Sequence, residues 1–404
     1  MQDIHLGLAN PSALHAGGQR ASRLLDDARE SLAAQWDAAP GSVVFTSGGT
    51  EADAIALTGL YAASQNLDPR RRVVLVGAGE HKAVLDTVRS GRALPGARVE
   101  EIPLSADGAV LPESVAHLLE EYGDAVALVS VMWANNEIGT VSDIPTIGAL
   151  CRERGVALHT DAVQMPATRS FSARHADAIA VSAHKVGGPV GIGALILGSG
   201  ISLPVFSQGG RQEGGIRSGT ADVMGAVGFA AAVQDADSLR DTEGETIAEL
   251  SARLIQGIGH NVPDAKINSG GTDRLSSHVH VTFPDCEADA LLMGLDAVGV
   301  QVSTGSACSA GVSQASHVVL AMGAGEEAAK GSLRFSLGWA TTVADVDRAI
   351  EAIGPAVTSA RAARTAALVL AHKRKGIGSR RTRSATAATA TRVPGAVKEG
   401  EVSR

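Results

Sequence analysis

Residues 178–193 read Ala178-Ile179-Ala180-Val181-Ser182-Ala183-His184-Lys185-Val186-Gly187-Gly188-Pro189-Val190-Gly191-Ile192-Gly193. A short apolar run, Ala178–Val181, predicts a buried strand. It breaks off at the polar cluster Ser182–Lys185, and a glycine-rich turn then leads into a second apolar run, Gly193–Leu197. A lysine is most often a solvated surface charge. Lys185 instead follows a strand among small, apolar or hydrogen-bonding neighbours, which desolvate an amine and lower its pKa, as covalent attachment to an aldehyde requires. The glycines lack the G-x-G-x-x-G order of a dinucleotide loop and precede a strand, so that reading is discarded.

Working outward, similar Val-rich runs occur at Val43–Phe45, Val73–Val76, Ala125–Met132 and Val156–Leu158. Segments with helical spacing lie between several of them, for example Leu24, Leu25, Ala28 and Leu32. Short strands apolar on both faces, alternating with helices, predict an α/β domain with a mostly parallel sheet covered on both sides. In such sheets ligands sit beyond the carboxyl ends of the strands. The clusters found there are Ser47–Glu51, Glu80–Lys82, Asn135–Glu137, His159–Asp161 and Ser182–Lys185, and all five are predicted to converge on one edge. After about Leu239 the pattern becomes α+β: a helix over 241–258, strands at Ser277–Phe283 and Ser332–Leu337, and helices at Ala288–Val298 and Val343–Ala356. The predicted organisation is a large domain over 1–240, a small C-terminal domain over 241–370, and a basic disordered tail over 371–404.

Composition narrows the function classes. The chain has 404 residues with 45% hydrophobic content and 47 scattered glycines, which suits a globular protein with a sizeable core. The net charge of −8 hides nine Lys/Arg against two Glu beyond residue 370, so residues 1–370 carry −15. An acidic body argues against nucleic acid as the main ligand. No apolar run is long enough for a membrane helix and no secretory signal opens the chain, which predicts a cytoplasmic protein. Three cysteines, Cys151, Cys286 and Cys308, are too few and too separated for a disulfide framework or a zinc site.

Several residues suit a bound ring cofactor. Asp161, with Gln164 three residues on, lies one strand upstream of Lys185. A lone Asp after a strand is often a helix cap, but the order Asp161, Gln164, Ser182, His184, Lys185 favours a carboxylate that keeps a ring nitrogen protonated. Ser47-Gly48-Gly49-Thr50 closes a strand and opens a helix, a natural phosphate cradle. Arg217–Thr220 is another polar, glycine-flanked turn. Arg334, on a predicted strand, suits bidentate capture of a substrate carboxylate. Cys308 sits in Ser303–Gly311, nine mostly small residues that suit a thiol presented as a nucleophile. Cys151 has helical spacing with Ile147 and Leu150 and reads as core. Cys286 follows a strand at a turn.

Taken together, these stretches resemble the cysteine desulfurases of the class V aminotransferase family, with the PLP fold-type I architecture. The matching segments are Asn10-Pro11-Ser12 with His15, 45–51, 80–86, Asn135–Gly139, His159–Gln164, Ser182–Lys185 with 187–195, 209–220, Gly305–Cys308 and Ser332–Gly338. The resemblance implies pyridoxal 5'-phosphate held by Lys185, with His81 stacked on the ring. Asp161 would pair with its nitrogen and Gln164 with its phenolic oxygen. Gly49, Thr50, Ser182 and His184 would cradle the phosphate, and Thr220 would reach the cofactor of a partner subunit, which implies a homodimer with shared sites. Asn136 and Arg334 would bind L-cysteine, and Cys308 would take the sulfur as a persulfide and pass it to an acceptor such as an iron–sulfur scaffold. Family members begin with an additional strand and an Asp/Asn-Ala-Ala-Thr-Thr-Pro stretch before the Asn10 equivalent, so the large domain is expected to be truncated at its N-terminus. The alternatives are a selenocysteine lyase, another class V aminotransferase, or a weakly active sulfur-relay protein. A thiol at Cys308 separates the first reading from transamination, which needs none.

Overall fold

A computed structural model describes residues 9–268, 270–271, 273–305 and 315–387. Seven strands form one sheet: β1 (Val43–Thr46), β2 (Val73–Gly77), β3 (Arg98–Ile102), β4 (Val126–Ser130), β5 (Ala157–Asp161), β6 (Ala178–Ser182) and β7 (Gly193–Leu197). Their order is β1-β7-β6-β5-β4-β2-β3. The neighbours from β6 to β3 run parallel, while β7 lies antiparallel to both β1 and β6. Six strands match the apolar runs of the sequence. The edge strand β3 was not predicted, because Arg98, Glu100 and Glu101 face solvent there and interrupt any apolar run.

Alternating side chains divide the sheet between two cores. Val73 and Leu75 of β2 face one layer, and Val74 and Val76 face the other. The first layer is closed by α1 (Ala16–Gln35), α4 (Pro112–Tyr122) and α5 (Ile144–Glu153), through Leu25, Leu32, Val115, Leu119, Ile144 and Ile147. The second is closed by α2 (Gly49–Leu67) and α3 (Lys82–Arg89), through Ile55, Leu57, Val84 and Leu85. Each fully buried Val, Leu or Ile contributes roughly 1.5–3 kcal/mol, so this doubly covered sheet is the stable platform for its loops. Cys151 lies in the first core at 1% exposure, as its spacing predicted.

The helix α6 (Val223–Asn261) joins the two parts of the molecule. Asp222 caps it by accepting the Gly225 N–H at 2.9 Å. Its first half packs Ala226, Phe229 and Val233 on the large core, and its second half packs Ile247, Leu250 and Leu254 on a separate cluster. The predicted boundary at 240/241 therefore falls inside one continuous helix. Only its second half shows clear apolar spacing in the sequence, because polar residues at 234–246 cross between the cores.

The C-terminal part is a four-stranded antiparallel sheet in the order β10 (Ser303–Thr304), β11 (Ser332–Ser336), β9 (His278–Thr282) and β8 (Lys266–Ile267). It is backed by α6, α7 (Ala288–Asp296) and α10 (Val343–Ala387), with the short helices α8 (His317–Ala321) and α9 (Glu326–Lys330) between β10 and β11. The helix α10 continues to Ala387, whereas the sequence predicted a disordered tail from Ala371. Its Ala, Arg and Lys content favours a helix even without an apolar stripe. The remainder of that tail lies outside the described residues.

Candidate active site

Strand direction brings the polar clusters together. Because β7 is antiparallel to both its neighbours, β1 and β6 end at the same edge, with Thr46 and Ser182 each opposite Gly193. A Cβ on Gly193 would lie 2.8 Å from Gly48 Cα and 2.6 Å from Val181 O, so only glycine permits this approach. Asp161 is paired with Ala180 at the end of β5. The loop carrying Asn135–Gly139 follows β4, and His81 follows β2 to cap α3.

On one side of this edge is the N-terminus of α2. Gly48 is its cap, and a Cβ on Gly49 would meet Val163 Cγ2 at 2.6 Å, so the helix start fits closely over the end of β5. Thr50 is exposed in the first turn. Ser182 is buried, and its hydroxyl lies 2.8 Å from His184 Nδ1. The same Gly49 Cβ would lie 3.7 Å from Ser182 Cβ, which brings the serine to the helix start. Backbone donors, a helix dipole and two hydroxyls form a fitting cradle for a phosphate dianion.

Beneath the edge lies a cluster of buried acids. Asp161 Oδ1 accepts the Val163 N–H at 2.9 Å, and burial, reinforced by the Asp53 carboxyl, pushes its pKa up to about 7. Asp53 is raised to about 8 by burial, and Glu80 well above the usual range by burial and then by Asp161. His159 is lowered to about 4 by burial. Its Nδ1 is 2.9 Å from Ser130 Oγ, and its Nε2 lies 3.3 Å from Asp53 Oδ1 without an aligned hydrogen bond. Asp53 and His159 therefore meet as neutral groups and not as an ion pair. Of the three carboxyls Asp161 ionises most readily, so a cationic group bound at this edge would find its counter-charge there. Asp53 was not recognised in the sequence. Its signal was one acid within the otherwise apolar stretch Ala52–Leu57.

Above the edge a cavity of about 750 Å³ lies between the two parts of the molecule, with Gln164, His184, Lys185, His278, Arg334 and Trp339 in its wall. Lys185 opens onto this cavity, and burial, then the Arg334 charge, lowers its pKa while Asp161 opposes the shift. Arg334 Nη1 donates to the Asn136 carbonyl at 2.6 Å, and its buried Nε has no hydrogen-bond partner among the described residues. A carboxylate in the cavity would be drawn to the Arg334 guanidinium in its wall. The imidazole of His81 accepts the Ala83 N–H through Nδ1 at 3.1 Å. His278, also unrecognised in the sequence, packs its Cβ where a Gly139 side chain would stand.

Of the predicted residues, Gln164, His184, Lys185 and Arg334 line this cavity, whereas Gly49, Thr50, His81, Asn136, Asp161, Ser182 and Thr220 are not in its wall. Thr220 is exposed and outside the cavity wall, on a segment fastened by Arg217 Nε to Glu51 Oε1 at 3.3 Å. Cys308 lies outside the described residues. The donor set fits pyridoxal phosphate: an exposed lysine of lowered pKa opening on the cavity, a buried carboxyl, a helix-end anion cradle, and an arginine whose buried Nε–H has no partner among the described residues.

A family model described as "Aminotransferase class-V" matches residues 2–349. The chain is 43% identical over 371 residues to an "IscS-like cysteine desulfurase" from Mycobacterium tuberculosis, covering 91% of this chain and 94% of that one. It is 39% identical to a "Cysteine desulfurase" from Cereibacter sphaeroides, over 87% of this chain and 89% of the relative. Among solved structures it superposes on a "NifS-like protein" with a TM-score of 0.78 and 30% identity, covering 87% and 92% of the two chains. A NifS-like protein from Rickettsia africae gives a TM-score of 0.78 and 29% identity, covering 88% and 94%. On the family model and these relatives, the chain belongs to the class V aminotransferase family, in its cysteine desulfurase group.

Proposed function

We propose that this protein is a desulfurase that holds pyridoxal 5'-phosphate on Lys185 and converts L-cysteine to L-alanine, leaving the sulfur on Cys308 as a persulfide. The supporting observation is one cavity shared by a lysine of lowered pKa and an arginine whose buried Nε–H has no partner among the described residues, at the strand edge where Asp161 lies. When bound, the cofactor supplies an aldehyde and an electron-withdrawing ring that labilise the Cα–H bond of an amino acid.

The chain's own residues do the rest. The start of α2, Gly49, Thr50, Ser182 and His184 would hold the phosphate, and the Asp161 carboxylate would keep a proton on the ring nitrogen. His81 would lie over the ring, and Gln164 would hydrogen-bond its phenolic oxygen. Arg334 takes the substrate carboxylate, with Asn136 fixing the guanidinium through its carbonyl. Once the substrate amine has taken its place on the cofactor, the freed Lys185, of lowered pKa, would be neutral more often than a solvated lysine and would remove the Cα proton. The Cys308 thiolate attacks the substrate sulfur. The S–S bond forms as Cβ–S breaks, the electron pair passes to carbon, and protonation gives alanine. Thr220, facing outward, serves the site of a second copy in a homodimer. The persulfide passes to an acceptor such as an iron–sulfur scaffold. No helix among the described residues is long and apolar enough to cross a membrane, which is compatible with a cytoplasmic enzyme.

The test is spectroscopic. Purified protein is expected to absorb as a pyridoxal enzyme, and Lys185→Ala to lose that lysine-bound absorbance. An unchanged spectrum in the variant would show that the anchor lies elsewhere.

A further inference from the structure

Glu137 has no part in the chemistry above, yet its carboxylate is buried at 2% exposure beside the substrate arginine. Three observations bear on it. Ser316, which caps α8 by accepting the Val319 N–H at 3.2 Å, donates its hydroxyl to Glu137 Oε2 at 2.5 Å. Gly305, at the other end of the Cys308-bearing segment, has no room for a side chain. A Cβ there would collide with Glu137 Oε2 and lie 3.2 Å from Ser316 Cβ. Gly305 is not at a positive φ, so close approach and not backbone conformation requires the glycine.

The surrounding groups bind this carboxylate to the site. His317 holds its Nδ1 3.8 Å from Glu137 Oε1 and its Nε2 3.0 Å from the Glu80 carbonyl. Residues 303 and 304 pair with β11, Ser303 opposite Arg334. Arg334 in turn donates to the carbonyl of Asn136, next to Glu137. Burial raises the Glu137 pKa to about 7, against the hydrogen bond from Ser316 and the charge of Arg334. A group buried at such a cost persists when surrounding structure depends on it.

We infer that Glu137 is a positioning residue, whose carboxyl holds Ser316 by a hydrogen bond and packs closely against Gly305, the two described ends of the Cys308-bearing segment, next to Arg334. This rests on the desulfurase reading. The carboxyl fixes where the segment leaves and rejoins the fold relative to the bound substrate carboxylate. Glu137 acts on the distance the thiol must span and not on bond breaking itself.

The test uses the cofactor-loaded protein and two separate readouts: the spectral titration with cysteine, and the single-turnover rate of sulfur arrival on Cys308, followed by quenching, alkylation and mass spectrometry. Gly305→Ala is expected to slow sulfur arrival about tenfold, the scale of one lost buried contact, while the cysteine titration stays within about twofold of wild type. Glu137→Ala is expected to slow it similarly, and Glu137→Gln, which fills the same space and still accepts the Ser316 hydroxyl, to restore it to within about threefold. In Glu137→Ala protein, adding Gly305→Ala is expected to have a much smaller effect, because the colliding oxygen is gone and only the 3.2 Å approach to Ser316 Cβ remains. Equal harm from Gly305→Ala in both backgrounds, or loss of cysteine binding in step with transfer, would overturn the assignment. Wild-type protein that never places sulfur on Cys308 would instead refute the underlying reading.

Discussion

Replacing Asp53 by Asn isolates the energetics of the buried acids. Asp53 is 1% exposed, and burial raises its pKa to about 8, against about 3.9 in an unfolded chain. Between those values the folded protein holds a proton that the unfolded chain has lost, so stability falls as pH rises, by about 1.36 kcal/mol per unit from this group alone. Asn cannot ionise, keeps the shape, and leaves an amide or carbonyl at the 3.3 Å approach to His159 Nε2. The stability of Asp53→Asn relative to wild type should therefore improve by about 2.7 kcal/mol from pH 5 to pH 7. The trend should level off above the folded pKa, near pH 8. Urea unfolding of both proteins at several pH values measures this as a widening gap between midpoints. A gap independent of pH would show that Asp53 is ionised in the native state and that the account of the acid cluster is wrong.

Two further outcomes follow from the same cavity. Asp161→Asn removes the counter-charge expected for the ring nitrogen, so cofactor absorbance should persist while turnover falls roughly a hundredfold, about 2.7 kcal/mol of transition-state stabilisation. Wild-type turnover in the variant would deny Asp161 that role. Arg334→Lys keeps a positive charge but loses the planar fork and the buried Nε–H, and should raise the KM for cysteine about tenfold with absorbance unchanged. Steady-state kinetics over a range of cysteine concentrations would detect it, and an unaltered KM would place the substrate carboxylate elsewhere.

The fold was largely legible because a doubly covered sheet leaves a plain mark. Runs such as Val73–Val76 and Ala178–Val181 are apolar at every position, since both faces of each strand are buried. What stayed hidden is equally physical. At the sheet edge, β3 carries Arg98, Glu100 and Glu101, so solvent erases the pattern. The two-residue strands β8 and β10 are too short for any periodicity. The helix α6 belongs to two cores, so the sequence shows a polar gap where the backbone continues without a break.

For the site, polar residues after strand ends were visible because the surrounding runs frame them. Asp53 and Glu137 acquire their roles through partners 106 and 179 residues away in the chain, His159 and Ser316, which no local pattern reveals. Thr220 faces outward in the single chain. Its proposed role depends on a second copy.

The most direct measurement is the formation of alanine and sulfide from L-cysteine by wild-type protein and by Cys308→Ser, with a reductant present and cofactor absorbance recorded in parallel. Wild type should form the two products in equal amounts, and Cys308→Ser should keep its absorbance while both products fall to background. Undiminished turnover by Cys308→Ser would contradict a mechanism in which that thiol receives the sulfur.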